Sequence, residues 1–126
     1  VSAGETYDIG PFHLEFFGGD HAVIHPDMPV VANLGVMIND AIFYPGDSFV
    51  NPGKPVRVLA LPVGAPWLKI QETIDYAREV RPSIAFPTHD AVLSENGKAL
   101  PDRMIPALTE KFGVTYKRID DAPLEV

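Results

Sequence analysis

The chain has 126 residues, and 10 Lys and Arg against 17 Asp and Glu give a formal net charge of −7. This length predicts one domain with a single core, and the absence of Cys excludes disulfides, thiolate metal sites and cysteine nucleophiles. The acidic balance argues against nucleic acid or an anionic membrane as partner. No apolar run approaches the ~20 residues of a membrane helix, and the start has no signal-peptide pattern, so we expect a cytoplasmic protein.

The first half of the chain carries patterns typical of strands. Apolar and polar residues alternate over residues 12–16, as in a strand with one buried face. Two apolar runs, 34–38 and 41–44, flank Asn39-Asp40, a pair typical of a hairpin turn. The run 56–63 is almost entirely apolar and predicts a buried strand.

The second half changes to helical spacing. A first helix, ending near Val80, is predicted from the apolar residues Trp67, Ile70, Ile74 and Ala77. A second is predicted around residues 104–112, with Gly113 as its C-terminal cap. It should begin close to Pro106, because a helix tolerates proline only in its first turn.

Short strands are predicted at 83–86 and 114–119, so strands come first and a β-α-β-α-β order follows. This order predicts an α/β (α+β) fold in which helices cover one face of a mixed sheet. Trp67 is interpreted as a core anchor at the helix start. The run 118–121 and Glu125 are interpreted as solvated ends of the chain.

Three polar clusters fall where strands should end, and each carries one candidate ligand. They are Gly18-Gly19-Asp20-His21, Gly46-Asp47-Ser48 and Thr88-His89-Asp90. Strands hold the loops at their ends rigidly, so functional groups collect there. His21, Asp47 and His89 could converge on one metal ion, because imidazole and carboxylate are the ligands that zinc accepts when no Cys is present.

Each histidine and aspartate also has a simpler structural interpretation. His13 lies on the polar side of an alternating strand, where it faces solvent. His25 precedes a proline that holds it extended, and it could cap a turn. Asp47 could bond only the nearby backbone N–H groups of a turn. His21 could be an ordinary loop histidine, and His89 could cap the segment after it.

Taken in order, these clusters resemble the second half of the metallo-β-lactamase superfamily, especially its branch of metal-dependent hydrolases with lactonase-like members. The matching segments are 4–12, Gly18-Gly19-Asp20-His21-Ala22-Val23-Ile24-His25-Pro26, 33–38, Tyr44-Pro45-Gly46-Asp47-Ser48, 61–67 and Phe86-Pro87-Thr88-His89-Asp90. The ordered set, with a helix between the last two segments, is far more specific than any one of them.

The resemblance implies that His21 ligates one zinc ion, that His89 ligates the other, and that Asp47 bridges both, with His25 the less favoured ligand. Manganese and iron are alternatives to zinc, because such ligands accept several metals. In that family a hydroxide held between the metals hydrolyses an ester, lactone, amide or phosphodiester bond of a small-molecule substrate. Asp47 is the catalytic residue on this basis.

The sequence also departs from the family pattern, because the first metal motif, His-x-His-x-Asp-His, does not occur in it. The chain therefore supplies one terminal ligand per metal plus the bridge, whereas zinc needs at least three protein ligands. The resemblance implies that residues 1–126 are a single domain, the C-terminal portion of an αββα sandwich without its N-terminal half. Metal would be weakly bound by this chain alone, or absent, and activity is expected only of the complete fold.

A sheet that lacks its partner layer should expose an apolar face. Phe12, Phe16 and the runs around Val36 and Leu59 are expected to form such a patch, which marks an interface. We therefore expect a homodimer, or association with a separate N-terminal half.

Two alternatives to the hydrolase remain. The first is a metal-free, catalytically inactive binding or assembly module that dimerises through the exposed sheet face. The second is a calcineurin-like metallophosphatase, which the Gly-Asp and His-Asp pairs would fit. It ranks behind the others because the Asp-x-His motif of those enzymes and their Asn ligand are missing.

Overall fold

The computed structural model describes residues 1–120 and 122–125. Seven strands form one sheet whose spatial order is the chain order. The first four pair antiparallel: β1 (Thr6–Ile9), β2 (Phe12–Asp20), β3 (Ala32–Ile38) and β4 (Ile42–Tyr44). The last three continue the sheet in parallel: β5 (Val58–Pro62), β6 (Ile84–Thr88) and β7 (Thr115–Tyr116). The predicted mixed sheet is confirmed.

The turn between β3 and β4 is the predicted hairpin turn. Asn39 and Asp40 both have positive φ, 51° and 52°, and the Ala41 N–H closes their turn by donating to the Ile38 carbonyl at 3.0 Å. Positive φ at both central residues matches a turn to the strand twist, and Ala41 is one extra residue before the pair Ile38–Ile42. The Asn39 side chain also accepts a hydrogen bond from the His13 backbone N–H at 2.8 Å. Local chemistry therefore sets the register that brings Met37 opposite Phe43.

The first helix, α1 (Ile70–Val80), ends where the sequence predicts. Arg81 adopts the left-handed conformation that closes the helix, and Pro82 follows it. Trp67 lies before α1 rather than inside it, and it is 9% exposed, so its interpretation as a core anchor is confirmed. Within the described residues, no helix is both long enough and apolar enough to cross a membrane.

The second helix begins far earlier than predicted. Helix α2 (Glu95–Thr109) starts after Ser94, whose Oγ accepts a hydrogen bond from the Gly97 N–H, and it contains Pro101 and Pro106. The expectation of a start near Pro106 was wrong. Each proline removes a helical hydrogen bond, but Pro101 and Ile105 are buried, so packing of this face offsets the loss. A 3₁₀ turn, Glu110–Phe112, and a left-handed Gly113 then end the helical segment.

The C-terminal strand is shorter than predicted. The run 114–119 contributes only the two residues of β7 to the sheet. Arg118 is not a solvated end, because its side chain is 26% exposed and bonds two carboxylates. Asp121, which belongs to the same predicted solvated run, lies outside the described residues.

The sheet has a covered face, on which both helices pack. Met37, Phe43, Leu59 and Ala85 lie side by side along one row of the strand register. All four are at most 1% exposed, and they form one core with residues of α1 and α2. The prediction that helices cover one sheet face is confirmed.

The other face, here called the open face, carries the alternate residues of the same strands. Its large apolar residues include Tyr7, Phe12, Leu14, Phe16, Val36, Ile38, Ile42 and Tyr44. No helix among the described residues packs on them, and they range from half-buried to exposed. The expected patch therefore exists around Phe12, Phe16 and Val36, whereas Leu59 lies on the covered face and is fully buried.

Candidate metal centre

Three loops at strand ends bring His21, Asp47 and His89 together. His21 directly follows β2, Asp47 lies three residues beyond β4, and His89 directly follows β6. One carboxylate oxygen of Asp47 contacts Nε2 of His89 directly, and the other lies 3.7 Å from Nε2 of His21. The Asp47 carboxylate therefore stands between two imidazoles from distant parts of the chain.

Backbone carbonyls fix the orientation of both imidazoles. His21 Nδ1 bonds the carbonyl of Ala22, and His89 Nδ1 bonds the carbonyl of Gly64 at 2.7 Å. A carbonyl only accepts, so each Nδ1 carries a proton and each Nε2 faces Asp47. A bare Nε2 lone pair would repel the carboxylate. At His89, whose Nε2 contacts Asp47 directly, the arrangement therefore calls for a proton or a metal cation between the two groups.

The electrostatics of His89 favour positive charge at this point. Burial lowers the pKa of His89, but the Gly64 carbonyl and then the Asp47 carboxylate more than offset that effect. The pKa of His89 is therefore raised above its usual value. The Asp47 carboxylate beside Nε2 therefore favours a proton on that nitrogen when no cation is bound.

The backbone before Asp47 is held by the side chain of Asn33. Its Oδ1 accepts from the Asp47 N–H at 2.9 Å, and its Nδ2 donates to the carbonyl of Pro45 at 2.9 Å and to Ser48 Oγ at 3.1 Å. Gly46 has φ +70°, and a Cβ there would stand 2.3 Å from Asn33 Oδ1. The turn interpretation of Asp47 explains its backbone, but its carboxylate points to the two imidazoles instead.

Trp67, which the sequence predicts only as a core residue, also forms a wall of the site. Its ring centroid lies 6.1 Å from those of both His21 and His89, edge to face, and 5.2 Å from that of Phe49. The signal that could have indicated this is its position in the matched segment 61–67. Gly64, the hydrogen-bond partner of His89, lies in the same segment.

The backbone at His89 is strained. Its φ of 61° is left-handed, a conformation that costs a non-glycine residue about 1–3 kcal/mol and persists only when the surroundings enforce it. The hydroxyl of the preceding Thr88 is buried, with no hydrogen-bond partner among the described residues. Such conformations concentrate at binding and catalytic sites.

His13 and His25 take no part in this cluster. His13 bonds Asp8 at 2.7 Å on the strand pair, and His25 Nδ1 accepts from the Asp27 N–H at 3.0 Å in an exposed turn. Their structural interpretations, a strand residue facing solvent and a turn cap, are confirmed.

The donor chemistry of the three residues fits a divalent cation, but their arrangement does not form a finished cage. Within the described residues, no group of three or more His, Cys, Asp or Glu side chains is arranged to hold a metal ion. Asp47 contacts His89 where a shared cation would have to lie. Three protein donors are the minimum for one zinc ion and too few for two.

No family model matches the sequence. The chain is 37% identical over 105 residues to protein Rv0786c of Mycobacterium tuberculosis, an alignment that covers 79% of this chain and 50% of that protein. The chain thus spans about half the length of this curated relative.

Solved structures share the fold at low sequence identity. A protein of Parabacteroides distasonis named as a metal-dependent hydrolase superposes with a TM-score of 0.66 and 17% identity, over 94% of this chain and 56% of that one. Igni18, named a metallo hydrolase of the archaeon Ignicoccus hospitalis, superposes with a TM-score of 0.61 and 15% identity. The superposition covers 98% of this chain and 57% of that one. A variant of the CmlA β-hydroxylase superposes with a TM-score of 0.62 and 16% identity, over 95% of this chain and 32% of that one. The chain therefore has the fold seen in these proteins.

Proposed function

We propose that the chain is the C-terminal portion of a metal-dependent hydrolase of the metallo-β-lactamase superfamily, in its lactonase-like branch. The observation that carries the proposal is the convergence of His21, Asp47 and His89, with both Nε2 atoms turned to one carboxylate. The shared fold supports it but does not fix the reaction, since one protein of this fold is named a hydroxylase.

In this proposal His21 and His89 would each hold a cation through Nε2, and the Asp47 carboxylate, which lies between the two imidazoles, would be the ligand common to both. Zinc is the favoured metal, with manganese and iron as alternatives. A divalent ion held by these residues would supply a Lewis acid that lowers the pKa of bound water and offsets charge on the substrate oxygen. The carbonyls of Ala22 and Gly64 hold the imidazoles in place. The substrate is a small molecule with an ester, lactone, amide or phosphodiester bond, and the location is cytoplasmic.

The proposal includes a cover for the open face, either a second copy of the chain or an N-terminal half. Two observations support it. Apolar residues such as Phe12 and Tyr44 remain exposed there, and such patches mark interfaces. The relative and the two named hydrolases also contain nearly as much polypeptide again as the part this chain matches. Either cover could supply the ligands that two metal ions still need.

The test is a zinc titration of the full-length protein by calorimetry. His21→Ala, Asp47→Ala and His89→Ala should each weaken binding by at least about 10-fold, because each removes a donor. His13→Ala is the matched control, since it removes an imidazole that also pairs with an aspartate, and it should leave binding unchanged. Binding that survives all three site substitutions would show that the assignment is wrong.

A second candidate function is a metal-free assembly module. It is favoured by the open face and by the absence of a finished metal cage within the described residues. Elemental analysis of freshly purified protein separates the two functions. A content below about 0.1 metal per chain, too little for a site with three ligands to be occupied, would favour the module. A content near one or two would favour the hydrolase.

A further inference from the structure

A second polar cluster joins the candidate metal centre to the C-terminal segment. Arg118 donates from Nε and Nη2 to both carboxylate oxygens of Asp102, at 2.7 and 2.9 Å. Its third donor, Nη1, bonds Asp90 at 2.6 Å. The Tyr116 hydroxyl donates to the same Asp102 carboxylate at 2.6 Å. One guanidinium therefore holds two carboxylates at once.

The two carboxylates belong to different parts of the molecule. Asp102 lies within α2, which is packed on the covered face, whereas Asp90 is the residue immediately after His89 in the loop that leaves β6. The side chains of Arg118 and Asp90 are only 26% and 21% exposed. This partial shielding and the planar fork of arginine make such contacts stronger and more directional than an ordinary surface pair.

We propose that Arg118 is a positioning residue for His89. Its hydrogen bonds to Asp102 attach it to α2. Its hydrogen bond to Asp90 fixes the loop in which His89 keeps its left-handed backbone. This inference rests on the proposed function, because positioning matters to binding only if His89 is a ligand. His21 has separate support, since its backbone N–H bonds the carbonyl of Val31. Loss of Arg118 should therefore disturb His89 more than His21.

Lys54 is a matched control for Arg118, because it is also a basic side chain that bonds two carboxylates. Lys54 bonds Glu15 and Asp40, each at 2.7 Å, and joins β2 to the turn after β3. None of these three residues is a candidate ligand. Lys54→Gln thus removes the same kind of contact as Arg118→Gln without reaching the candidate metal centre.

The experiment combines imidazole NMR without metal and a zinc titration of the full-length protein. In long-range proton–nitrogen spectra, Arg118→Gln should shift the ring signals of His89 by more than those of His21, which is coupled to His89 only through Asp47 and Trp67. The same variant should weaken zinc binding by about 10-fold, as is typical when a residue that supports a ligand is removed. Arg118→Lys should recover part of this loss, because it keeps the charge but not the fork. Lys54→Gln should change neither the ring signals of His89 nor the zinc affinity.

Unchanged His89 signals in Arg118→Gln would overturn the inference, as would zinc binding within about twofold of wild type while His89→Ala abolishes it. Should Arg118→Gln not fold, Asp90→Ala removes only the acceptor in the loop and decides the same question by the same two measurements. If the wild-type protein takes up no zinc, the proposed function fails. The NMR shift of His89 then still decides whether Arg118 orients it.

Discussion

The two faces of the sheet are built from the same strands, yet they end in different environments. On the covered face Met37, Phe43 and Leu59 are at most 1% exposed because α1 and α2 pack on them. On the open face Phe12 and Tyr44 remain 51% and 40% exposed. Apolar periodicity along a strand therefore indicates that a face is meant to be buried, but it does not tell which part of a protein buries it.

Substitutions on the covered face should destabilise the fold far more than substitutions on the open face. Phe43→Ala should lower the free energy of unfolding by about 3–5 kcal/mol, because it leaves a cavity in the core. Phe12→Ala in the 126-residue chain, at a concentration where it is monomeric, should cost less than about 1 kcal/mol. Denaturant unfolding of both variants measures the difference. Equal losses would mean that the open face is already buried.

The next effect concerns the strand ends that lie between the faces. Gly46→Ala should cost about 3 kcal/mol, since the new Cβ meets Asn33 Oδ1 and threatens the bond that holds Asp47, in addition to straining a left-handed backbone. Gly53→Ala is the control, because Gly53 also has a positive φ but nothing lies within 4 Å of the added Cβ. It should cost about 1 kcal/mol by thermal or denaturant unfolding. Equal losses of unfolding free energy in the two variants would mean that Asn33 does not hold the Asp47 loop.

A charged residue on the open face should weaken self-association if a second copy covers it. Tyr44→Lys is expected to raise the dimer dissociation constant by at least about 10-fold, because a lysine would be buried without a partner. Leu108→Lys on α2 is the matched control, since Leu108 is also 40% exposed, and it should have no effect. Sedimentation velocity over a concentration series measures both. A compact monomer at every wild-type concentration would contradict the homodimer.

The smallest effect is a dependence on acid that arises where α2 meets the C-terminal segment. Burial raises the pKa of Asp102, but the hydrogen bonds from Arg118 and Tyr116 outweigh it, so the pKa lies below its usual value. The ionised Asp102 and Arg118 therefore stabilise the fold at pH values above the ordinary aspartate pKa of about 3.9. This contribution is lost as the pH falls through the lowered pKa of Asp102. Asp102→Asn should cost about 1 kcal/mol at pH 7.

The same substitution should flatten the pH dependence of unfolding below about pH 4, because the titrating carboxylate is gone. Thermal melts from pH 3 to pH 7 give the comparison. An unchanged slope in Asp102→Asn would assign the acid dependence to other carboxylates.

Features set by local chemistry could be predicted from the sequence. Asn39-Asp40 specifies its turn, because both residues tolerate positive φ. The meeting of His21, Asp47 and His89 is not local: the polar residues at strand ends made it one possibility, and the family resemblance favoured it over the simpler structural interpretations. The start of α2 could not be predicted, since Pro101 and Pro106 oppose a helix locally and only packing overrides them. Nor could the link from Arg118 to Asp90, which spans 28 residues and depends on where β7 ends.

In the proposed site, Asp47 is the carboxylate shared by two cations, one bound by His21 and the other by His89. Anomalous X-ray diffraction at the zinc absorption edge, on crystals of the full-length protein grown with zinc, tests it most directly. Zinc at the proposed site should give a peak about 2.0–2.2 Å from an imidazole Nε2 and from an Asp47 oxygen. A map with zinc only at other residues, or with none while Asp47 still contacts His89, would contradict it.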